Sequence, residues 1–267
     1  MVESLAADLG LDDSYDLADE QIERLHDKGW VLLPGLVSAA TCLALLEELK
    51  SQEHTPSVFL TPEQTLVRKR ESLGWKTSVF RQLGTSRRVG GTAARLMKLP
   101  EVLFAQDMTF AKEPGGGGTQ FHQDYPFTPY DRAGAINLWI ALVDVSDDMG
   151  ALTYLEGSHR LGPLGRFTDK DPDIRDHYPF LRDLPIGGGS AVNAGDAVVH
   201  LDLTVHGSGP NTSDRTREAY ACRYAPPETI YTGARNYHFD SFDLVHDSTL
   251  ESSGRFPRVG KDGLVGQ

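Results

Sequence analysis

Apolar residues follow two rhythms along the chain, and the change comes near residue 100. Before it, helical spacing dominates. Residues 18–28 read as a short helix ended by Gly29. Ser38 stands where a side-chain oxygen caps a helix running to about Lys50, with Cys42, Leu45, Leu46 and Leu49 on one face. Between the two, WVLLPGL (30–36) reads as a buried strand broken at Pro34-Gly35, and 87–99 reads as a further helix stopped by Pro100. The stretch 53–80 is polar. Its basic cluster Arg68-Lys69-Arg70 reads as a solvated face, or alternatively as a lid or substrate wall.

From about residue 101, short apolar runs alternate with Gly- and Pro-rich turns. VLFAQDMTFAKE, QFHQDYPF, AINLWIALVDV, ALTYLEG, SAVNAG, AVVHLDLTVHG and EAYACRYA all read as strands. Many short strands with such turns predict a mainly β fold, a sandwich or barrel. The expected organisation is a single domain over 1–267, with helical N-terminal support at about 16–99, a β core at about 101–225 and an irregular tail at 226–267. Residues 160–186, charged and Pro-containing, read as an insertion between strands.

Composition narrows the function classes. The 267 residues are 39% hydrophobic and 24% charged, with a net charge of −12. A chain this acidic lacks the basic footprint that nucleic acids and anionic membranes require. No apolar run reaches the ~18 residues of a membrane span, and the acidic N-terminus has no leader pattern. Cys42 and Cys222 have neither metal nor redox spacing, which fits a reducing cytoplasm. The sequon Asn211-Thr212-Ser213 carries little weight without a secretory signal.

The chemistry is concentrated in FHQDYPF (121–127) and VHGSGPN (205–211). His122, Asp124 and a distal His206 make up two imidazoles and a carboxylate, a set that suits Fe(II) and leaves three coordination positions open. On a strand, Gln120, His122 and Asp124 share one face. His200-Leu201-Asp202 repeats the His-x-Asp pattern but lacks a suitable distal partner, so His200 reads as a core histidine or a support for the ligands. Arg217 stands where a guanidinium clamps a carboxylate in a two-hydrogen-bond fork. Gly115–Gly118 lacks the Lys-Ser/Thr ending of a phosphate loop and reads as a turn. Tyr125, Phe127 and Tyr130 read either as an aromatic wall for substrate or as core packing. Together these residues point to a non-haem Fe(II) oxygenase that consumes 2-oxoglutarate and O₂.

QIERLHDKGWVLLPGLVS, AKEPGGGGTQFHQD, NLWIALVDV, GALTYLEGSH and GDAVVHLDLTVHGSGPNTSDRTREAYACRYA span about 21–225. In them the chain resembles the phytanoyl-CoA dioxygenase family of Fe(II)/2-oxoglutarate enzymes. The last block is the most specific, because His206, Ser208, Asn211, Ser213, Arg217 and Tyr224 keep the family's spacing. The resemblance implies a double-stranded β-helix, or jelly roll, with iron at its mouth. It implies that His122, Asp124 and His206 ligate the iron, and that Arg217, with Ser208 beside it, holds the distal carboxylate of 2-oxoglutarate. Trp139 matches a family Trp near the co-substrate; Gln120 and Lys69 are further co-substrate candidates. Glu156 departs from the Pro common at that turn, a structural position. Halogenase relatives replace the carboxylate ligand by a small residue, so Asp124 disfavours halogenation. The implied reaction oxidises a small-molecule substrate and releases succinate and CO₂, and its outcome ranges over hydroxylation, desaturation, epimerisation, ring closure and peroxidation. Two other readings stand beside it: a jelly-roll isomerase or hydrolase using another metal, and a non-catalytic binding protein on the same fold. Residues 160–186 and part of 53–80 are expected to form the substrate entrance.

Overall fold

A computed structural model of the protein describes residues 9–55, 66–166 and 173–265. Its strands, in chain order, are β1 (Trp30–Leu33), β2 (Val67–Glu71), β3 (Glu101–Lys112), β4 (Thr119–His122), β5 (Ile136–Ala141), β6 (Leu152–Leu155), β7 (Ile186–Gly188), β8 (Ala197–Leu201), β9 (His206–Ser208), β10 (Arg217–Ala225), β11 (Arg258–Gly260) and β12 (Gly263–Leu264). They form two antiparallel sheets. The major sheet runs β1-β8-β5-β10-β3-β11-β12, with β2 also paired to β3, and the minor sheet runs β4-β9-β6-β7. Trp139 and Val198 of the major sheet pack against Tyr154 and Leu152 of the minor one, so the sheets face each other across an interior, in a jelly-roll arrangement.

Strand alternation divides the major sheet into two chemistries. Ile136, Leu138, Ile140, Tyr220, Cys222 and Tyr224 point outward and are buried against Leu25, Leu45, Phe80, Leu83 and Ala93 of the N-terminal helices. Asn137, Trp139, Ala141, Arg217, Ala219, Ala221 and Arg223 are the alternate residues and face the minor sheet. The helices are α1 (Asp19–Lys28), α2 (Ala39–Leu49), α3 (Leu73–Lys76), α4 (Ser78–Thr85) and α5 (Gly90–Leu96). Ser38 caps α2 by accepting from the Thr41 amide at 3.1 Å, as its position predicts. Gly29 ends α1 at φ 87°, and a Cβ there would meet Thr204 Oγ1 at 2.6 Å, so this close approach of chain to chain needs glycine.

Four expectations need correction. Residues 66–80, read only as part of a polar stretch, hold regular elements: β2 pairs with β3 along Val67–Glu71, and α3 and α4 follow. Because β2 is VRKRE, with Arg68 and Lys69 both exposed, it has no apolar alternation to read. SAVNAG is not a strand; only Val192 bridges to Val145. The helix expected over 87–99 is the shorter α5, which ends at Leu96. The tail, read as irregular, carries part of the fold: β11 extends the major sheet beside β3, and Phe239, Leu250 and Phe256 are buried with Leu103 and Tyr130. His238 fixes this tail by accepting from Ser72 Oγ at 2.7 Å and donating to the Ala105 carbonyl at 3.0 Å.

Of the expected entrance, residues 56–65 and 167–172 lie outside the described residues. The described part of 160–186 holds a short helix (Ile174–His177) whose Ile174, with Leu181, packs on Leu155 and Val205. Arg175 lies 3.9 Å above the ring of Phe121, the residue before His122, so this segment sits against the strand that carries the site. Among the described residues, no helix is long and apolar enough to cross a membrane.

Candidate metal and co-substrate site

Two cross-strand rows build the centre of the interior. In the minor sheet, His122 of β4 lies directly opposite His206 of β9, and His206 lies opposite Tyr154 of β6. In the major sheet, His200 of β8, Asn137 of β5, Arg223 of β10 and Gln106 of β3 are successive register partners. Register partners present their side chains on the same face. Asp124 sits between the rows.

Asp124 does not lie on the His122 strand. β4 ends at His122 after a register irregularity, and Asp124 has helical backbone at the start of a single 3₁₀ turn, Tyr125–Phe127. The expected alignment of Gln120, His122 and Asp124 by alternation is therefore incorrect; a turn brings the carboxylate beside His122. Ligating atoms of His122, Asp124 and His206 all lie within 4.8 Å of one another, with His122 Nε2 3.8 Å from Asp124 Oδ1.

Hydrogen bonds orient each of the three toward a common point. His122 Nδ1 donates to the Gln120 carbonyl at 2.8 Å, and His206 Nδ1 donates to the Thr204 carbonyl at 2.9 Å. A carbonyl only accepts, so both protons are on Nδ1 and both Nε2 lone pairs are free to ligate. Asp124 Oδ2 accepts from Asn137 Nδ2 at 3.1 Å, His200 Nε2 at 3.2 Å and Arg223 Nη2 at 2.9 Å, which leaves Oδ1 as the spare oxygen. Tyr154 completes the row by donating its hydroxyl to His200 Nδ1 at 3.2 Å.

The electrostatics agree. Burial and the neighbouring His200 lower His206 to about 4, and burial with His206 lowers His122, so both imidazoles stay neutral and able to ligate. Burial alone would raise the Asp124 carboxyl, but the Arg223 guanidinium and the His200 hydrogen bond outweigh it and hold it well below the usual carboxylate range. Two neutral nitrogens and one anionic oxygen, with their outer atoms already occupied, fit a divalent transition metal.

The remaining candidates separate by position. Arg217 is buried at the start of β10; it donates to the Gly150 carbonyl, and its guanidinium lies 5.3 Å above Trp139, so both residues face the interior together. Burial lowers Arg217 to about 10, and its Nε has no hydrogen-bond partner. Ser208, on β9, accepts from Lys112 Nζ at 2.8 Å. Gln120 is exposed, and its contribution to the site is the carbonyl that holds His122. Lys69 lies over Phe110 at 5.4 Å. Phe127 stands edge-on to His122 at 5.9 Å and flanks the site. Tyr125 and Tyr130 instead pack with the tail around Phe239 and Phe256. Asn211 folds the loop before Arg217 by donating to the Lys112 and Arg215 carbonyls at 2.8 and 2.7 Å, and Tyr224 belongs to the outer core, donating to the Gly84 carbonyl at 2.7 Å.

Sequence reasoning missed Arg223, Asn137 and Lys112. The signal was a charged or amide residue at the inward position of an otherwise apolar strand, as in EAYACRYA, AINLWIALVDV and MTFAKE. A small cavity lined by Gln106, Met108, Asn137, Ala221 and Arg223 lies beside the Asp124 network.

Comparison with known proteins places this geometry. A phytanoyl-CoA dioxygenase (PhyH) family model matches residues 25–219. Phytanoyl-CoA dioxygenase domain-containing protein 1 of Danio rerio is 24% identical, over 83% of this chain and 94% of that protein. Methylphosphonate hydroxylase of Gimesia maris is 27% identical, over 78% of this chain and 80% of its own length. Among solved structures, the non-heme alpha ketoglutarate dependent carbocyclase SnoK from nogalamycin biosynthesis superposes with a TM-score of 0.79 at 27% identity, covering 91% of this chain and 97% of its own. The epimerase SnoN, in complex with Fe3+, alpha ketoglutarate and nogalamycin RO, gives 0.77 at 25% identity, covering 90% and 97%. With the family model spanning both candidate-site sequence blocks, the chain belongs to the phytanoyl-CoA dioxygenase family.

Proposed function

We propose that this protein is an Fe(II)/2-oxoglutarate-dependent oxygenase that tailors a small molecule by oxidising one of its C–H bonds. The observation that carries the reading is the pairing of two features in one interior: the oriented His122/Asp124/His206 set, and the buried, carboxylate-free Arg217 on the same inner face of the barrel. Iron bound with 2-oxoglutarate supplies the oxidising chemistry, coupling O₂ reduction to the conversion of 2-oxoglutarate to succinate and CO₂. The chain's own residues position and shield. His122, Asp124 and His206 hold the metal; Arg217 and Ser208 hold the distal carboxylate of the co-substrate against Trp139. Phe127, and beyond it Arg175 over Phe121, wall the side from which substrate enters.

Carbocyclisation and epimerisation by proteins whose structures align over about nine-tenths of this chain favour natural-product tailoring over fatty-acyl oxidation. The free, buried thiols of Cys42 and Cys222 support a cytoplasmic location. Incubating the protein aerobically with Fe(II), 2-oxoglutarate and panels of polycyclic glycosides, phosphonates and acyl thioesters tests the proposal by succinate release. The expected result is succinate formation that requires 2-oxoglutarate and is stimulated by one panel. Metal-dependent hydrolysis or isomerisation without 2-oxoglutarate consumption would replace this reading with the other enzyme class.

A further inference from the structure

Lys112 and Arg217 are register partners on β3 and β10, so their side chains leave adjacent strands on the same inner face. Both are buried: Lys112 has no exposed surface and Arg217 retains 3%. Among the described residues, no aspartate or glutamate forms an ion pair with either one. Two like charges side by side in a protein interior are costly unless an anion joins them.

The acceptors that surround them are all neutral. Lys112 Nζ donates to Ser208 Oγ at 2.8 Å and to the Gly209 carbonyl at 2.7 Å, which uses two of its three N–H groups. Arg217 donates to the Gly150 carbonyl, and its Nε is without a partner. The lysine therefore bridges the two sheets, from β3 to the end of β9, while the arginine approaches from β10. Burial first, and the charge of Arg217 second, lower Lys112 to about 7; the opposite charge of a bound anion favours the ammonium and works against this lowering. Along β10, the residues between Arg217 and Arg223 on this face are Ala219 and Ala221, and Ala141 lies opposite Ala219 on β5. These alanines add little bulk from β10 and β5, and Trp139, Met108 and Phe110 pack around them on the same face.

The geometry points to Lys112 as a second cationic anchor for the distal carboxylate of the co-substrate, acting from the strand beside that of Arg217 and held in place by Ser208. This rests on the proposed 2-oxoglutarate dependence. It assigns Ser208 a different part from that of a direct partner alone: its hydroxyl accepts from Lys112 and so orients the ammonium. The chemistry selected is a 2-oxo acid with a second, terminal carboxylate, as opposed to a monocarboxylic 2-oxo acid.

Calorimetric titration of the Ni(II)-loaded full-length protein with 2-oxoglutarate and with 2-oxobutyrate, which lacks the terminal carboxylate, tests the assignment. Lys112→Met is expected to weaken 2-oxoglutarate on the order of 10- to 100-fold, the loss typical of one hydrogen bond to a charged group, while 2-oxobutyrate changes by less than about 3-fold. Lys112→Gln keeps a donor for Ser208 without the charge and should show the same selective loss; it substitutes if the methionine variant melts early. Lys112→Arg, which restores the charge, should recover part of the preference. Equal losses for both acids, or no loss for either, would overturn the role of Lys112 while leaving the proposed function intact. Failure of the Ni(II)-loaded wild-type protein to bind 2-oxoglutarate would overturn both.

Discussion

Replacing Arg223 by Gln should destabilise the metal-free protein far more than the metal-loaded one. Arg223 Nη2 lies 2.9 Å from Asp124 Oδ2, and both side chains are about nine-tenths buried. At an effective dielectric of ~20, a contact at that separation has a gross attraction of about 6 kcal/mol. Desolvation cancels much of it, yet removing one partner strands the other charge, at a cost of about 3–5 kcal/mol. Asn137 and His200 still donate to Asp124 in the variant, so the low end applies, about 3 kcal/mol. For a chain of this size that lowers Tm by roughly 6–12 °C. A divalent cation on Oδ1 neutralises the same carboxylate from its other side, so loading should recover most of the loss. The upward shift in Tm on adding Mn(II) should then be larger in Arg223→Gln than in the wild type. Differential scanning calorimetry with chelator and with Mn(II) reads both quantities. Equal losses in the two states, or a smaller metal-induced shift in the variant, would show that Arg223 acts by fixing geometry and not by balancing charge.

Three further outcomes follow from the same contacts. Asp124→Ala should abolish metal binding in calorimetry and also lower Tm by several degrees, because it leaves Arg223 buried without its partner; an unchanged Tm would contradict the charge balance. Arg217→Lys should raise KM for 2-oxoglutarate on the order of 10- to 100-fold while leaving KM for the organic substrate nearly unchanged, since an ammonium cannot copy the two-bond fork; unchanged co-substrate kinetics would make Arg217 structural. Asp202 is a buried acid raised to about 7 by burial, despite accepting from the Gly134 and Ala135 amides. Its folded form binds a proton more tightly than the unfolded one, so its contribution to stability falls as pH rises from about 4 to about 7 and is flat above, by about 1.4 kcal/mol per unit. Urea unfolding of Asp202→Asn should show its gain over wild type at pH 8 and none near pH 4; a gain independent of pH would refute the assignment.

Much of the site was legible because chemistry fixes residue type. Two histidines and an aspartate with a distal arginine carry their meaning in any local conformation, so His122, Asp124, His206 and Arg217 were readable although the strand assignment under Asp124 was not. That assignment failed because a 3₁₀ turn of Tyr125–Phe127 begins where alternation would have continued. The supporting residues were hidden for another reason. Asn137 and Arg223 join His200, which was readable as a support for the ligands, in one row only when β8, β5 and β10 pair, a long-range register that no local pattern reveals. β2 escaped notice because its sequence, VRKRE, is charged along its length and offers no apolar alternation, and the tail because its buried Phe239, Leu250 and Phe256 are single apolar residues in polar surroundings.

The central claim is that one metal joins His122, Asp124 and His206 while 2-oxoglutarate reaches from it to Arg217. A crystal structure of the protein grown anaerobically with Mn(II) and 2-oxoglutarate tests this most directly, with anomalous scattering to locate the metal. The account predicts a single metal at about 2 Å from both Nε2 atoms and from Asp124 Oδ1, and a terminal carboxylate within hydrogen-bond distance of the Arg217 guanidinium. A metal held by other residues, or 2-oxoglutarate bound away from Arg217, would contradict it.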